Sequence, residues 1–214
     1  MLTKFDFNTF PVLETARLIL DQSTQADAAA LFASASDPEV QKYDSTPPMK
    51  DISEAIHWIE QGRAWFEEKR AIIWNLRLKE SGQSIGGIGF YFWEKEYYKA
   101  DLGYTVNRTH WQQGYATEAL LAILQFGFEE MGLHRVNVDT RMDNLASLGL
   151  MRRLGFVYEG ARRECVLIAD GTYQTWGLFG MLEDEYRHSP SASRSISPRS
   201  ARGSSQAGGM PDAA

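Results

Sequence analysis

Between Ala100 and Met131 the chain passes from a two-residue hydrophobic period to a helical one, and the change falls across a polar loop that holds one glycine. Ala100, Leu102, Tyr104 and Val106 alternate with Asp101, Gly103 and Thr105, the pattern of a half-buried strand; Ala119, Leu120, Ile123, Leu124, Phe128 and Met131 then recur at helical spacing. A loop that enters a helix in this way leaves the first-turn N–H groups unpaired, with a partial positive charge beside them. A diphosphate can dock on such groups without a basic side chain, and Gly114 lets the backbone come close to it. Strand, glycine turn and helix also occur in α/β proteins that bind no phosphate, so the spacing alone leaves both readings open.

The rest of the chain supplies the elements of a single α/β domain. A strand at Arg17 to Leu20 leads through Ser23-Thr24 into an alanine-rich helix ending near Ser34. Asp51 and Glu54 form a capping-box pattern for a second helix, whose buried face is expected at Ile52, Ile56, Ile59 and Phe66. Strands are expected at Ala71 to Lys79 and Ser84 to Trp93, joined by the four-residue hairpin Glu80-Ser81-Gly82-Gln83. After the strand and helix described above come a strand at Arg135 to Thr140, a helix at Ala146 to Leu154, and strands near Phe156 to Ile168 and Thr172 to Met181. Antiparallel pairing followed by helical crossovers predicts a mixed sheet with helices on both faces.

Residues 187–214 have a different composition, with 8 Ser, 3 Gly and 3 Pro. Such a segment buries too little apolar surface to offset the entropy of ordering it, so a domain over 1–186 and a disordered tail over 187–214 are expected. Four arginines against one aspartate give that tail a net charge of +3, which leaves −9 for residues 1–186 out of −6 overall. An acidic domain repels nucleic acid and favours cationic ligands, an amine among them. The first residues lack the apolar core of a signal peptide and no run approaches the ~18 apolar residues of a membrane span, so a cytoplasmic protein without membrane contact is expected. Cys165, the only cysteine, has no His and acidic neighbour in sequence and is read as a buried or inert thiol. His57, His110, His134 and His188 show no metal-ligand spacing, and no metal is expected.

Asn107 to Ala119, reading Asn-Arg-Thr-His-Trp-Gln-Gln-Gly-Tyr-Ala-Thr-Glu-Ala, resembles the coenzyme A loop of the GNAT acetyltransferase superfamily, in the form of its ribosomal-protein N-terminal acetyltransferase branch. Leu13 to Leu20 is similar to the first strand of that branch and Asp101-Leu102-Gly103-Tyr104 to its central strand; Asp143 to Ser147, Leu154-Gly155-Phe156 and Glu159-Gly160 are similar to its last block. Together these span roughly residues 11–186 in the family's order. The resemblance implies a GNAT fold, a mostly antiparallel mixed sheet flanked by helices, with acetyl-CoA as acyl donor.

By the same resemblance the main chain of Tyr104, Thr105 and Val106 would polarise the thioester carbonyl, while Trp111, Gln112, Gln113, Gly114, Tyr115, Ala116 and Thr117 would cradle the diphosphate. Asn144 would bond the coenzyme arm, although a helix-start Asn is also an ordinary N-cap. Three positions depart from the pattern: Trp111 stands where Gln or Arg is frequent, Met151 where many relatives carry a proton-donating tyrosine, and Thr175 where the branch has an acid. Ser147 is then the available hydroxyl to protonate the leaving thiolate, or else a capping hydroxyl. Asp101 is the first candidate base and Glu94 the second; a hydrogen-bonded strand carboxylate and a solvated loop charge are their plainer readings. Phe90, Tyr91, Phe92, Trp93, Tyr97 and Tyr98 would line an acceptor groove or fill the sheet.

An α-amino group near pKa 8 costs about 1.4 kcal/mol to neutralise at pH 7, a lysine near 10.4 about 4.6. A protein N-terminus therefore needs only a weak base; the resemblance to ribosomal-protein N-terminal acetyltransferases makes it the expected acceptor, with the enzyme a monomer or homodimer. Small amines such as polyamines, amino acids or aminoglycosides are the second reading. A catalytically weak acyl-CoA-binding module is the third.

Overall fold

The computed structural model describes residues 5–44, 46–168 and 171–189. Eight strands form one sheet: β1 (Leu13–Glu14), β2 (Leu18–Gln22), β3 (Ile72–Leu78), β4 (Ser84–Glu94), β5 (Lys99–Val106), β6 (Arg135–Arg141), β7 (Val157–Leu167) and β8 (Tyr173–Leu182). Their order is β1-β2-β3-β4-β5-β6-β8-β7. All neighbouring pairs run antiparallel except β5 and β6, which are parallel. Two parallel strands need a crossover, and the helix α4 (Tyr115–Glu129) makes it. The mixed, mostly antiparallel sheet matches the sequence expectation.

Strand register sets what each face carries. Leu20 lies opposite Leu76, Trp74 opposite Ile88 and Phe90 opposite Leu102, so these apolar side chains share one face. α4 packs on that face: the Trp74 and Phe126 rings meet edge to face with centroids 5.5 Å apart. Gly127 lets the helix come close, since a Cβ there would stand 2.7 Å from Phe90 Cζ. Each fully buried side chain in this layer contributes about 1.5–3 kcal/mol. Helix α5 (Leu145–Leu154) joins the same layer through Leu148, Leu150, Met151 and Leu154.

The opposite face is covered over β3 and β4 by α1 (Ala28–Ala35) and α3 (Ile52–Glu67). Ala28, Ala55 and Ile59 form a second apolar cluster there. The short α2 (Pro38–Gln41) follows α1. Over β5 and β6 this face carries Asp101, Asn137, Asp139 and Arg141 instead of apolar side chains, with Asp101 opposite Asn137. Helices thus flank both faces, and a half-buried polar strip runs over β5 and β6, with Arg141 buried at its end.

Local signals explain the helix ends. The Asp51 carboxylate accepts from Ser53 N–H at 2.8 Å and Glu54 accepts from Asp51 N–H at 3.1 Å, the expected capping box. Asn144 accepts from Ser147 N–H at 3.1 Å to start α5, and Gly155, at φ 93°, ends it in the left-handed region.

Four details differ from the sequence expectation. The stretch similar to a single first strand is a small hairpin, because Thr15 turns the chain through bonds to both N–H and C=O of Leu18 and pairs Leu13 with Leu20. Ile52 is exposed, since it occupies the first position of α3, beyond the Ala55 and Ile59 contacts. Cys165 is exposed on β7, not buried. The last helix, α6 (Glu183–His188), runs two residues past residue 186, held by an Arg187–Glu183 ion pair one turn apart. The disordered tail expected beyond it lies, from residue 190 on, outside the described residues.

Candidate active site

β5 and β6 pair only through Lys99–Arg135, Ala100–Val136 and Asp101–Asn137. β5 continues for five more residues and β6 for four, yet no further pairing follows. The sheet therefore splits, and the edge of β5 around Tyr104 and Thr105 faces a gap instead of a neighbouring strand. Unsatisfied backbone groups along such an edge can pair with an extended ligand.

The split opens toward the loop before α4. Trp111 Nε1 donates to the Val106 carbonyl at 2.6 Å and ties this loop to the end of β5. The backbone turns left-handed at Gln112 (φ 60°) and again at Gly114 (φ 82°). Glu118 N–H makes the first helical bond, to Gly114 O at 3.0 Å. The amides of Tyr115, Ala116 and Thr117 precede it and have no place in the helical ladder, which makes them a candidate anion cradle. These residues fit a coenzyme A diphosphate: donors are clustered, and Gly114 adds no side chain of its own beside them.

One residue braces the cradle from outside it. The Arg17 guanidinium donates to Glu118 Oε2 at 2.7 Å and to the Gln113 carbonyl at 2.9 Å, and lies 4.3 Å from the Tyr115 ring centroid. Arg17 N–H and Thr15 Oγ1 donate to the other Glu118 oxygen at 2.7 and 2.5 Å. Burial pushes the Glu118 carboxyl up, but the Thr15 and Arg17 bonds and the Arg17 charge outweigh it and leave it below the ordinary glutamate value. The sequence reading assigned Arg17 no role, although it stands in the quoted first block; its partners lie about 100 residues away.

On the apolar face, Tyr104 Oη donates to Ser147 Oγ at 3.0 Å. Ser147 is buried at the start of α5. Burial pushes the Tyr104 phenol above the ordinary tyrosine value, partly offset by the Ser147 bond and the charge of Arg153. Met151 is also fully buried and carries no proton to give. Asn144 uses its Oδ1 as the N-cap, the plainer of its two expected roles.

Asp101 stands on the polar face. Its Oδ1 accepts from Asn137 Nδ2 at 2.8 Å, and Asn137 Oδ1 accepts from Arg135 Nε at 2.5 Å. Arg135 in turn forks onto Glu159. The chain of bonds fixes the Asn137 amide and with it the Asp101 carboxylate. Tyr91 lies opposite Asp101 on β4, beside Gly103; burial and the nearby Asp44 charge push its phenol well above the ordinary value, so it remains neutral. Arg141 binds Asp143 and the Lys42 carbonyl, joining the segment after α2 to the end of β6.

Not every expected site residue comes together. Glu94 pairs with Lys99 at 3.0 Å at the hairpin end of β5, five residues from Tyr104, or roughly 17 Å along the strand. The aromatic group disperses: Phe90 is core, Trp93 stacks on Phe7, and Phe92 and Tyr97 are exposed. Among the described residues no group of His, Cys, Asp and Glu could hold a metal ion, and no helix is long and apolar enough to cross a membrane.

The acetyltransferase (GNAT) domain family matches residues 17–157. The uncharacterised N-acetyltransferase YoaA of Bacillus subtilis is 37% identical over 166 residues, covering 78% of this chain and 94% of its own. The uncharacterised N-acetyltransferase p20 of Bacillus licheniformis is 33% identical over 174 residues, covering 81% and 97%. Among solved structures, Mycobacterium smegmatis RimJ in complex with CoA-disulfide superimposes with a TM-score of 0.77 at 20% identity, over 90% of this chain and 95% of that one, a likeness of fold. With the split sheet, the glycine-turned loop and these matches together, the chain belongs to the GNAT acetyltransferase family and is an N-acetyltransferase.

Proposed function

We propose that the protein transfers the acetyl group of acetyl-CoA directly to a protein N-terminal α-amine. The observation that carries this reading is the split between β5 and β6, with a bonded, part-buried hydroxyl pair on one face and an oriented carboxylate on the other. The RimJ fold neighbour was solved with CoA-disulfide, which supports a coenzyme A thioester as donor.

In this reading the amides at the start of α4 hold the diphosphate, and the free Nδ2 of Asn144 donates to the coenzyme arm. The β5 edge at Tyr104 to Val106 pairs with that arm and polarises the thioester carbonyl, a fixed-dipole contribution that costs no reorganisation during the reaction. Asp101, approached from the polar face, takes the amine proton directly or through one water. Ser147, on the other face, protonates the departing thiolate. An α-amine suits this equipment because a single half-buried carboxylate is asked for little, the ~1.4 kcal/mol needed at pH 7 rather than the ~4.6 of a lysine.

The test is thiol release from acetyl-CoA against peptides with a free N-terminus, N-terminally blocked lysine peptides, polyamines, amino acids and aminoglycosides. Release with free N-terminal peptides is expected to exceed the others. Preference for a small amine would move the substrate class, and binding of acetyl-CoA with no release would leave only a binding module.

A further inference from the structure

We propose that Tyr104 is the source of the proton that reaches the leaving thiolate, passed through Ser147. The inference rests on the acetyl-transfer reading above and identifies what that reading leaves unsupplied. An aliphatic hydroxyl is close to water in acidity, with a pKa of ~16, whereas a thiol has ~8.5. A serine that gave up its proton and kept the charge would be working against about seven powers of ten. An ordinary phenol near pKa 10 lies within about two; burial widens that gap for Tyr104, yet its phenol remains a far stronger acid than an aliphatic hydroxyl. Ser147 alone is therefore a poor acid, and Ser147 bonded to a phenol is a serviceable one.

The geometry supplies that phenol. Tyr104 Oη donates to Ser147 Oγ at 3.0 Å, so the serine oxygen already accepts one hydrogen and its own is free to point elsewhere. The Ser147 amide is fixed by Asn144, which sets the position of the oxygen at the start of α5. Tyr104 projects from β5 beyond the last β5–β6 pair, on the face that carries α4 and α5. Arg153 stands near enough to favour the phenolate, which offsets part of the burial effect. Among the described residues, no other ionisable group bonds to Ser147.

The exchange balances. The amine nitrogen bonds to the acyl carbon, the carbon–sulfur bond breaks, and its electron pair stays on sulfur. Sulfur takes the Ser147 hydrogen, Ser147 takes that of Tyr104, and the phenolate regains a proton from water after product release; the proton lost by the amine leaves through Asp101. The Tyr104 side chain thus acts through Ser147, as a positioning and relay group that does not itself touch the thioester.

The experiment compares Tyr104→Phe, Ser147→Ala and the double variant with two donors, acetyl-CoA and acetyl-seleno-CoA, whose selenol is far more acidic and leaves without help. Tyr104→Phe is expected to lower kcat with acetyl-CoA ~100-fold or more while leaving CoA affinity within ~2-fold. With the seleno donor the loss should shrink to ~3-fold or less. The double variant should be no worse than the more damaged single one, because both residues serve one transfer.

A readout independent of turnover uses tyrosine labelled with carbon-13 at Cζ. The resonance missing in Tyr104→Phe is Tyr104, and its titration should move to higher pH in Ser147→Ala, since the Ser147 bond holds the phenol down. Equal losses with both donors, an undiminished Tyr104→Phe enzyme, or a Tyr104 titration indifferent to Ser147→Ala would each overturn the relay. Thiol release is followed with peptide and with water as acceptor. An enzyme that releases thiol only to water sinks the N-terminal acceptor reading, and the donor comparison still judges Tyr104; no release to either overturns both.

Discussion

Asp101 and Tyr104 stand three residues apart on β5 and therefore on opposite faces of the sheet, one bonded to Asn137 and the other to Ser147. In the proposed mechanism a proton acceptor and a proton donor thus flank one split from its two sides, where neither can neutralise the other. Asp101→Asn keeps the shape and removes the charge. Its turnover on an N-terminal peptide at pH 7 is expected to fall ~100-fold, and the deficit should narrow as pH rises past ~8, where the amine loses its proton unaided. A deficit constant with pH would make Asp101 a structural carboxylate.

Acetyl-CoA should raise the thermal midpoint, since a ligand at ~100 times its dissociation constant adds about 2.7 kcal/mol to the folded state. Gly114→Val is expected to remove that rise, because φ 82° is strained for a β-branched residue and the new Cβ would stand 3.4 Å from Arg17 Nη2 at the mouth of the cradle. A folded Gly114→Val protein with the full ligand shift would show that the loop does not hold the phosphates.

Arg17→Ala frees the Gln113 carbonyl and one Glu118 oxygen, so the cradle loses its brace. Charge-assisted bonds contribute about 1.5–3 kcal/mol when well shielded, and the exposure of Arg17 argues for the low end. CoA affinity should fall roughly tenfold by calorimetry. Paired with Glu118→Gln, the two losses should fall short of additive; full additivity would mean that the clamp does not act as a unit.

The Glu118 carboxyl titrates lower in the folded protein than its ordinary value of 4.5. The unfolded chain then takes up the proton first as pH falls. The stabilisation is complete above about pH 4.5 and is lost as pH drops through the lower folded value. Glu118→Gln should lower the midpoint at pH 7 and show a shallower decline in acid. Parallel acid profiles for the two proteins would place the effect elsewhere.

Features repeated along the chain were legible from its residues. The alternation at Ala100 to Val106, the capping pattern at Asp51 and Glu54, and Gly114 before a helical period each announce a local conformation, and each is found. What escaped depends on contacts between distant segments. Thr15 and Arg17 meet Glu118, and Tyr104 meets Ser147, only once the sheet has formed. No periodicity encodes such pairs. Ile52 fits the helical stripe by spacing yet overhangs the core, because period alone does not say where the covering layer ends.

The most direct measurement uses one peptide that carries both a free α-amine and a lysine, incubated with the enzyme and acetyl-CoA at pH 7 and sequenced by fragmentation mass spectrometry. The neutral fractions of the two amines differ by roughly two powers of ten. Acetylation confined to the α-nitrogen, at ~100-fold or greater preference, is expected; acetyl on the lysine, or on neither nitrogen, would contradict an N-terminal acetyltransferase.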